Sequence, residues 1–364
     1  MHHLALGDNL REIWSADIGA GTGSIERIPG PPVIGGDAIF TIDSRARVRA
    51  YDLATGKRRW QIDLTPDEEE SGLTGGGIAF DSSWVFAATS YGEVFALNAA
   101  TGDRVWTQRV GVPVSAAPSV ADDKVYVVTT DNQVFALDAA NGKILWSYAG
   151  IVENAGLLGG ASVAIDGGLV VVPFSSGELF ALRAETGAVV WSDQLVRPAR
   201  FSSVGTINDI NGRPVIDRGR VFAISHSGRM TSIDLRSGQR TWDRDLAGIQ
   251  SPWVAGDYLY VVTVDSEVVC LSRREGRIVW VHTLERYERP KSRGDKGLVN
   301  WYGPVLAGDR LILVSSLGDA VSLSPYTGEL IGRIELSDSA SFPPLIAKSM
   351  LFILTDDAEL VAWQ

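Results

Sequence analysis

An all-β fold, an eight-bladed β-propeller with four-stranded antiparallel blades, is what the sequence predicts, and three observations predict it. One thirteen-residue unit recurs seven times along the 364 residues. Glycine supplies 39 of those residues, about 11% against a typical level near 7%, and the excess falls at turns. The two ends of the chain carry complementary fragments of an eighth unit. A repeat of roughly 40 to 50 residues fixes an architecture before any single strand is assigned.

The unit is clearest as Val134-Phe-Ala-Leu-Asp-Ala-Ala-Asn-Gly-Lys-Ile-Leu-Trp146. Its relatives begin at Val48, Val94, Leu179, Met230 and Val268 and close on Trp60, Trp106, Trp191, Trp242 and Trp280, while a seventh, from Ala320, closes on Gly332. Apolar and polar residues alternate on both sides of a short Thr-Gly or similar tip, the pattern of an antiparallel hairpin. Glycine supplies the positive φ of that tip. The tip glycines, Gly56, Gly102, Gly142, Gly187, Gly238, Gly276 and Gly328, are 46, 40, 45, 51, 38 and 52 residues apart. Two further β-rich runs precede each hairpin, as Ala117–Ala121 and Lys124–Thr130 precede Val134, so each unit reads as one four-stranded blade. Small residues such as Ser115 and Ala116 suit a strand at the crowded axis. The tryptophan four residues after each glycine is expected to begin the outermost strand and to lie between neighbouring blades.

The ends fit each other. Residues 342–363 supply three strands and stop where a fourth should begin, and residues 11–18 form a lone outer strand with its own Trp14. The expectation is an eighth blade closed by pairing the N-terminal strand onto the C-terminal three, which removes an exposed sheet edge. Residues 1–10, opening Met1-His2-His3, read as a tag remnant or linker, and residues 11–364 as a single propeller domain.

Composition narrows the function classes. With 33 Lys and Arg against 44 Asp and Glu the net charge is −11, which repels a phosphate backbone and argues against nucleic-acid binding. No stretch approaches the ~18 consecutive apolar residues of a membrane-spanning helix, and the first twenty residues lack an export signal. The single Cys270 sits in a strand pattern and reads as a buried, inert thiol.

In a repeat scaffold, recognition belongs to the connections that break the repeat. Thr65–Gly77 is an acidic run followed by glycines and reads as a solvated loop, since adjacent carboxylates do not converge on a metal as a cage requires. The 196–214 connection between blades four and five mixes Arg197, Arg200 and Arg213 with the exposed-looking Phe201, Val204, Ile207 and Ile210, a combination found at protein interfaces. The 285–297 connection is highly charged. His226 and His282 lie in or beside β-runs and read as packed or surface residues. Gly19-Ala-Gly-Thr-Gly23 has no helix after it and makes a weak nucleotide loop. No hydrolase, zinc-protease, paired-cysteine or phosphate-loop motif is present, so neither an active site nor a cofactor is read.

The phrase Ala-Leu-Asp-Ala-Ala-x-Gly-x-x-x-Trp at residues 136–146 resembles the tryptophan-docking repeat of pyrroloquinoline-quinone-type propellers. Two families share it. Quinone-dependent dehydrogenases are longer chains with a vicinal Cys-Cys pair and a calcium held by carboxylates and amides; this sequence has one Cys and no such cluster. The whole chain, including the stretches 214–230 and 233–238, resembles the BamB family, eight-bladed lipoprotein subunits of the machine that folds β-barrels into the bacterial outer membrane. That resemblance implies a non-enzymatic scaffold at the periplasmic face of the outer membrane, monomeric and held by an N-terminal lipid anchor. It further implies docking to the POTRA domains of BamA, work alongside the other subunits, and possible contact with unfolded outer-membrane chains. The implied contact residues are Arg197, Arg200, Ile207, Asn208, Asp209 and Arg213 in the loop between blades four and five, and Gln250 and Trp253 between blades five and six. A quinone-dependent oxidoreductase or a small-ligand-binding propeller is the alternative. Two departures from the family pattern are visible: no acylated Cys precedes Leu10, and Ile207-Asn208-Asp209 stands where the family carries leucine and arginine ahead of an acidic pair.

Overall fold

The hairpin forms as its residues dictate, and the same bonds recur blade after blade in the computed structural model, which describes residues 10–67, 71–151, 160–196, 209–288 and 297–364. In blade one the strands run outward from the axis as Val33–Gly35, Ala38–Ile42, Arg47–Asp52 and Arg58–Asp63, each antiparallel to the last. The outer hairpin is turned by its aspartate. Asp52 Oδ1 accepts the backbone N–H of Ala54 at 3.2 Å and of Thr55 at 3.0 Å, and the Gly56 N–H donates to the Asp52 carbonyl at 2.9 Å, an Asx turn closed by glycine at φ +67°. Just beyond it the register slips: Ala50 faces Trp60, but Tyr51 faces Arg58. The same bulge recurs at Ala96/Leu97, Ala136/Leu137 and their counterparts, adding twist to the outer strand. Because the bulge consumes two residues first, the tryptophan is the third residue of the outer strand and not, as expected, its first.

Burial follows position in the blade. Second strands are covered on both faces by adjoining blades, so Ala38–Ile42 is buried throughout. The outer strands of blades one to five bury one residue, the tryptophan, and leave the rest exposed or half-buried, while in blade six Trp280 is itself half-buried. Trp60 reaches into the next blade, where its Nε1–H donates to the Ala99 carbonyl at 2.9 Å. Its ring lies flat on the tip glycine of that blade: a Cβ at Gly102 would stand 2.7 Å from the indole. Glycine is therefore demanded twice at this point, by its φ of +79° and by the ring above it. Seven seams are sealed this way, by Trp14, Trp60, Trp106, Trp146, Trp191, Trp242 and Trp280, with Nε1-to-carbonyl distances of 2.7–3.3 Å.

The predicted closure is present. Glu12–Asp17 pairs antiparallel with Glu359–Trp363, which continues through Met350–Leu354 to Leu345–Ala347, and eight four-stranded sheets complete the ring. Trp14 stands opposite Ala362, and Arg11 and Gln364 exchange both backbone hydrogen bonds at 2.9 Å. A buried ion pair locks this strand to blade one. Asp43 is fully buried and Arg49 nearly so, with Arg49 Nη1 3.0 Å from Asp43 Oδ2. Arg49 also donates to the Ile18 carbonyl, while Asp43 accepts the Ala20 N–H at 3.0 Å and Arg47 Nε at 2.8 Å. Charges taken out of water need that degree of saturation to be tolerated. The Gly19–Gly23 run serves the same junction: a Cβ at Gly21 would stand 2.5 Å from the Asp356 carbonyl, so glycine lets two backbones touch.

Candidate interaction site

One polar turn gathers the two connections singled out by the sequence. In blade five, Ser225 is completely buried; its Oγ donates to the Leu195 carbonyl at 2.9 Å, and Ser227 Oγ donates to the same carbonyl at 3.0 Å. This fixes the outgoing limb of the loop between blades four and five. The returning limb is held by the next residue of the turn, whose backbone N–H, that of His226, donates to the Asp209 carbonyl at 2.9 Å. The Ser225 carbonyl in turn accepts the Gly248 N–H at 3.1 Å and so anchors the loop between blades five and six. The two loops then touch: a Cβ at Gly212 would stand 2.5 Å from the Gln250 carbonyl oxygen. Sequence reasoning missed Ser225, for which the only signal was a polar Ser-His-Ser-Gly tip at 225–228.

The paired loops open on a central cavity of about 490 Å³, bounded by first-strand residues of several blades, among them Val33, Phe80 and Ser119, and by Arg213 and Gln250. Arg213 is the one charged residue among its described lining residues. Its side chain is reached by solvent yet surrounded by protein, as a channel-lining position must be, and that enclosure lowers its pKa below the ordinary guanidinium value. The cavity wall is otherwise uncharged, so the mouth can present a single cation, an amide and small polar groups to a partner.

The contact residues implied by the resemblance divide into three sets. Arg197, Arg200, Ile207 and Asn208 lie outside the described residues, as do Phe201 and Val204. Arg213 and Gln250 meet at the cavity. Asp209, and with it Ile210, which read as exposed, are a correction: they are only 1% and 2% exposed, and Ile210 packs with Leu195, Val221 and Leu235 in the core between blades four and five. Their backbone leads directly into the blade, so their side chains sit beneath the surface and not on it. Trp253 begins the inner strand Trp253–Ala255 opposite Tyr260 and is half-buried against blades six and seven, leaving part of its ring accessible. Among the described residues no three His, Cys, Asp or Glu side chains converge as metal ligands would, and no helix is long and apolar enough to cross a membrane.

A closed ring of eight four-stranded blades, seven of its seams sealed by indoles, defines an eight-bladed repeat propeller. The family model described as outer membrane protein assembly factor BamB matches residues 44–282, and the chain belongs to that family. Among its relatives, the assembly factor BamB of Xanthomonas campestris is 29% identical over 360 residues, 97% of this chain and 85% of that protein. The Salmonella typhimurium BamB is 28% identical over 356 residues, covering 96% and 88%. The crystal structure of BamB from Moraxella catarrhalis superposes with a TM-score of 0.81 at 23% identity, covering 98% of this chain and 100% of that one. A europium-containing methanol dehydrogenase also shares the fold, with a TM-score of 0.74 at 16% identity over 99% of this chain and 85% of its own.

Proposed function

We propose that residues 11–364 act as one non-enzymatic scaffold domain of the outer-membrane barrel assembly machinery, at the periplasmic face of the outer membrane. The mouth formed by the loops between blades four, five and six docks on the POTRA domains of BamA, through Arg213, Gln250 and the accessible part of Trp253 together with Arg197, Arg200, Ile207 and Asn208. In the natural precursor an N-terminal lipid would hold the propeller to the membrane and beside the other subunits, where unfolded barrel chains pass. The observation that carries this reading is the Ser225 turn, which holds both ends of one loop, at Leu195 and Asp209, and the start of the next, at Gly248; fixing a loop at its ends lowers the ordering cost of binding. Support from the relatives lies in their shared name as assembly factors.

The test is titration of the full chain against purified BamA POTRA domains. Binding is expected to weaken at least tenfold on replacing residues 197–208 with a Gly-Ser linker, and to weaken measurably in Ser225→Ala, with thermal stability lowered by only about 1 kcal/mol in the latter. Absence of binding by the unaltered chain would sink the proposal, as would dye-linked alcohol oxidation appearing on addition of pyrroloquinoline quinone and calcium.

A further inference from the structure

The eighth seam lacks an indole at the position where the other seven carry theirs, although Trp363 of blade eight packs half-buried against the same core beside Leu10. In blade seven the position held elsewhere by tryptophan is Gly332, which stands opposite Ser322 as Trp60 stands opposite Ala50. Across the seam, blade eight has no hairpin tip at this point, because its outer strand comes from the other end of the chain; Leu10 occupies the place of the tip glycine, four residues before Trp14. What remains is a slot of about 310 Å³ floored by Ile312, Ser322, Gly332 and Ile334 and walled by Leu10 and Leu351. That is about twice the ~150 Å³ of an engineered apolar cavity that takes up benzene, room enough for a bicyclic ring. Arg310 also lines it, its guanidinium 3.5 Å from Ser322 Oγ, where a cation can meet the face of an aromatic group.

We propose that this slot is a docking site for a tryptophan side chain presented by a partner polypeptide. The chain itself states the ligand chemistry, since seven homologous slots each hold an indole against the same sheet face. The source is a polypeptide because the slot opens beside the outer strand Leu330–Glu335, the last strand of its sheet, whose outward edge has no strand neighbour among the described residues. Leu330 and Ile331 on that strand are 53% and 43% exposed. An extended segment can therefore lie along this edge, hydrogen-bonded through its backbone, and insert one ring into the seam. The inference goes beyond POTRA docking by the loops of blades four to six, and the two stand or fall separately.

The test uses the full chain with 5-fluoroindole, followed by fluorine NMR, and with a short extended peptide carrying one central tryptophan or alanine in its place. Saturable one-to-one binding of fluoroindole is expected, with displacement by the tryptophan peptide and none by its alanine counterpart. Gly332→Trp should weaken fluoroindole binding at least tenfold, because the new ring supplies the missing indole. A Cβ at Gly332 would meet only the rotatable Ser322 hydroxyl at 3.1 Å, with Arg310 at 3.8 Å. Should that variant fail to fold, Ser322→Met fills the slot from the facing strand and should give the same loss. The proposal is overturned if the unaltered chain shows no saturable binding, if both folded variants bind as before, or if the tryptophan peptide does not compete. Self-association that Gly332→Trp abolishes would also overturn it, by showing that a second copy fills the slot.

Discussion

Burial holds the Cys270 thiol, 1% exposed between the sheets of the ring, in its neutral form by denying the thiolate its water, and pushes its pKa from the ordinary 9.0 up to about 12. The raised value favours the protonated folded state, so its contribution to stability is complete below pH 9 and disappears as the pH climbs from 9 towards 12. The folded protein at pH 8 should therefore remain unlabelled by a thiol reagent over the time in which a denatured control reacts fully, and ready labelling would place the thiol elsewhere. Cys270 was legible because a small apolar residue in an alternating strand has one place to go. Asp209 and Ile210 were not, because whether a loop residue faces inward depends on Leu195, Val221 and Leu235, which the sequence does not mark as its neighbours.

At the scale of the element, one hairpin carries most of what could be read from the chain. Its aspartate, glycine and tryptophan keep fixed offsets because each makes a fixed bond: a turn, a left-handed φ and an inter-blade indole. Trp106→Ala should cost about 3–5 kcal/mol, the usual range for emptying a core site of a large aromatic ring, read from chemical denaturation. Gly142→Ala should also destabilise, because its Cβ would stand 2.6 Å from the Trp106 ring and its φ is +75°. Combining the two changes should cost less than their sum, since with the ring gone only the backbone strain is left. Strict additivity would mean that ring and glycine do not press on each other. The connections were less legible for the converse reason: they share no register, and the Ser225 clamp joins residues 30 apart through hydrogen bonds that leave no periodic trace.

For the whole molecule, the count of eight and the manner of closure followed from adding incomplete ends, which works because a ring of sheets permits no fractional blade. The sequence also showed that the seventh unit had lost its tryptophan. It could not show that the gap stays open, because what borders it is Leu10, from a stretch read as lying outside the propeller, and Leu351 and Trp363 of the incomplete eighth unit. Removing residues 1–18 should expose the edge of Glu359–Trp363 and take from the buried Arg49 its acceptor at the Ile18 carbonyl. A lower melting temperature and association into larger species are expected, seen by calorimetry and light scattering. A truncated chain that stayed monomeric and equally heat-stable would contradict the role given to that strand.

The pairing of Trp14 with Ala362 also sets an order of events. The segment synthesised first acquires its partner only when the final one has emerged, so every blade must wait as an unsealed arc while the rest is made. Contacts so remote in the chain slow the search for the native state, and the interval is one in which a helper protein, or a crowded compartment, decides whether the wheel closes on itself or on a neighbour.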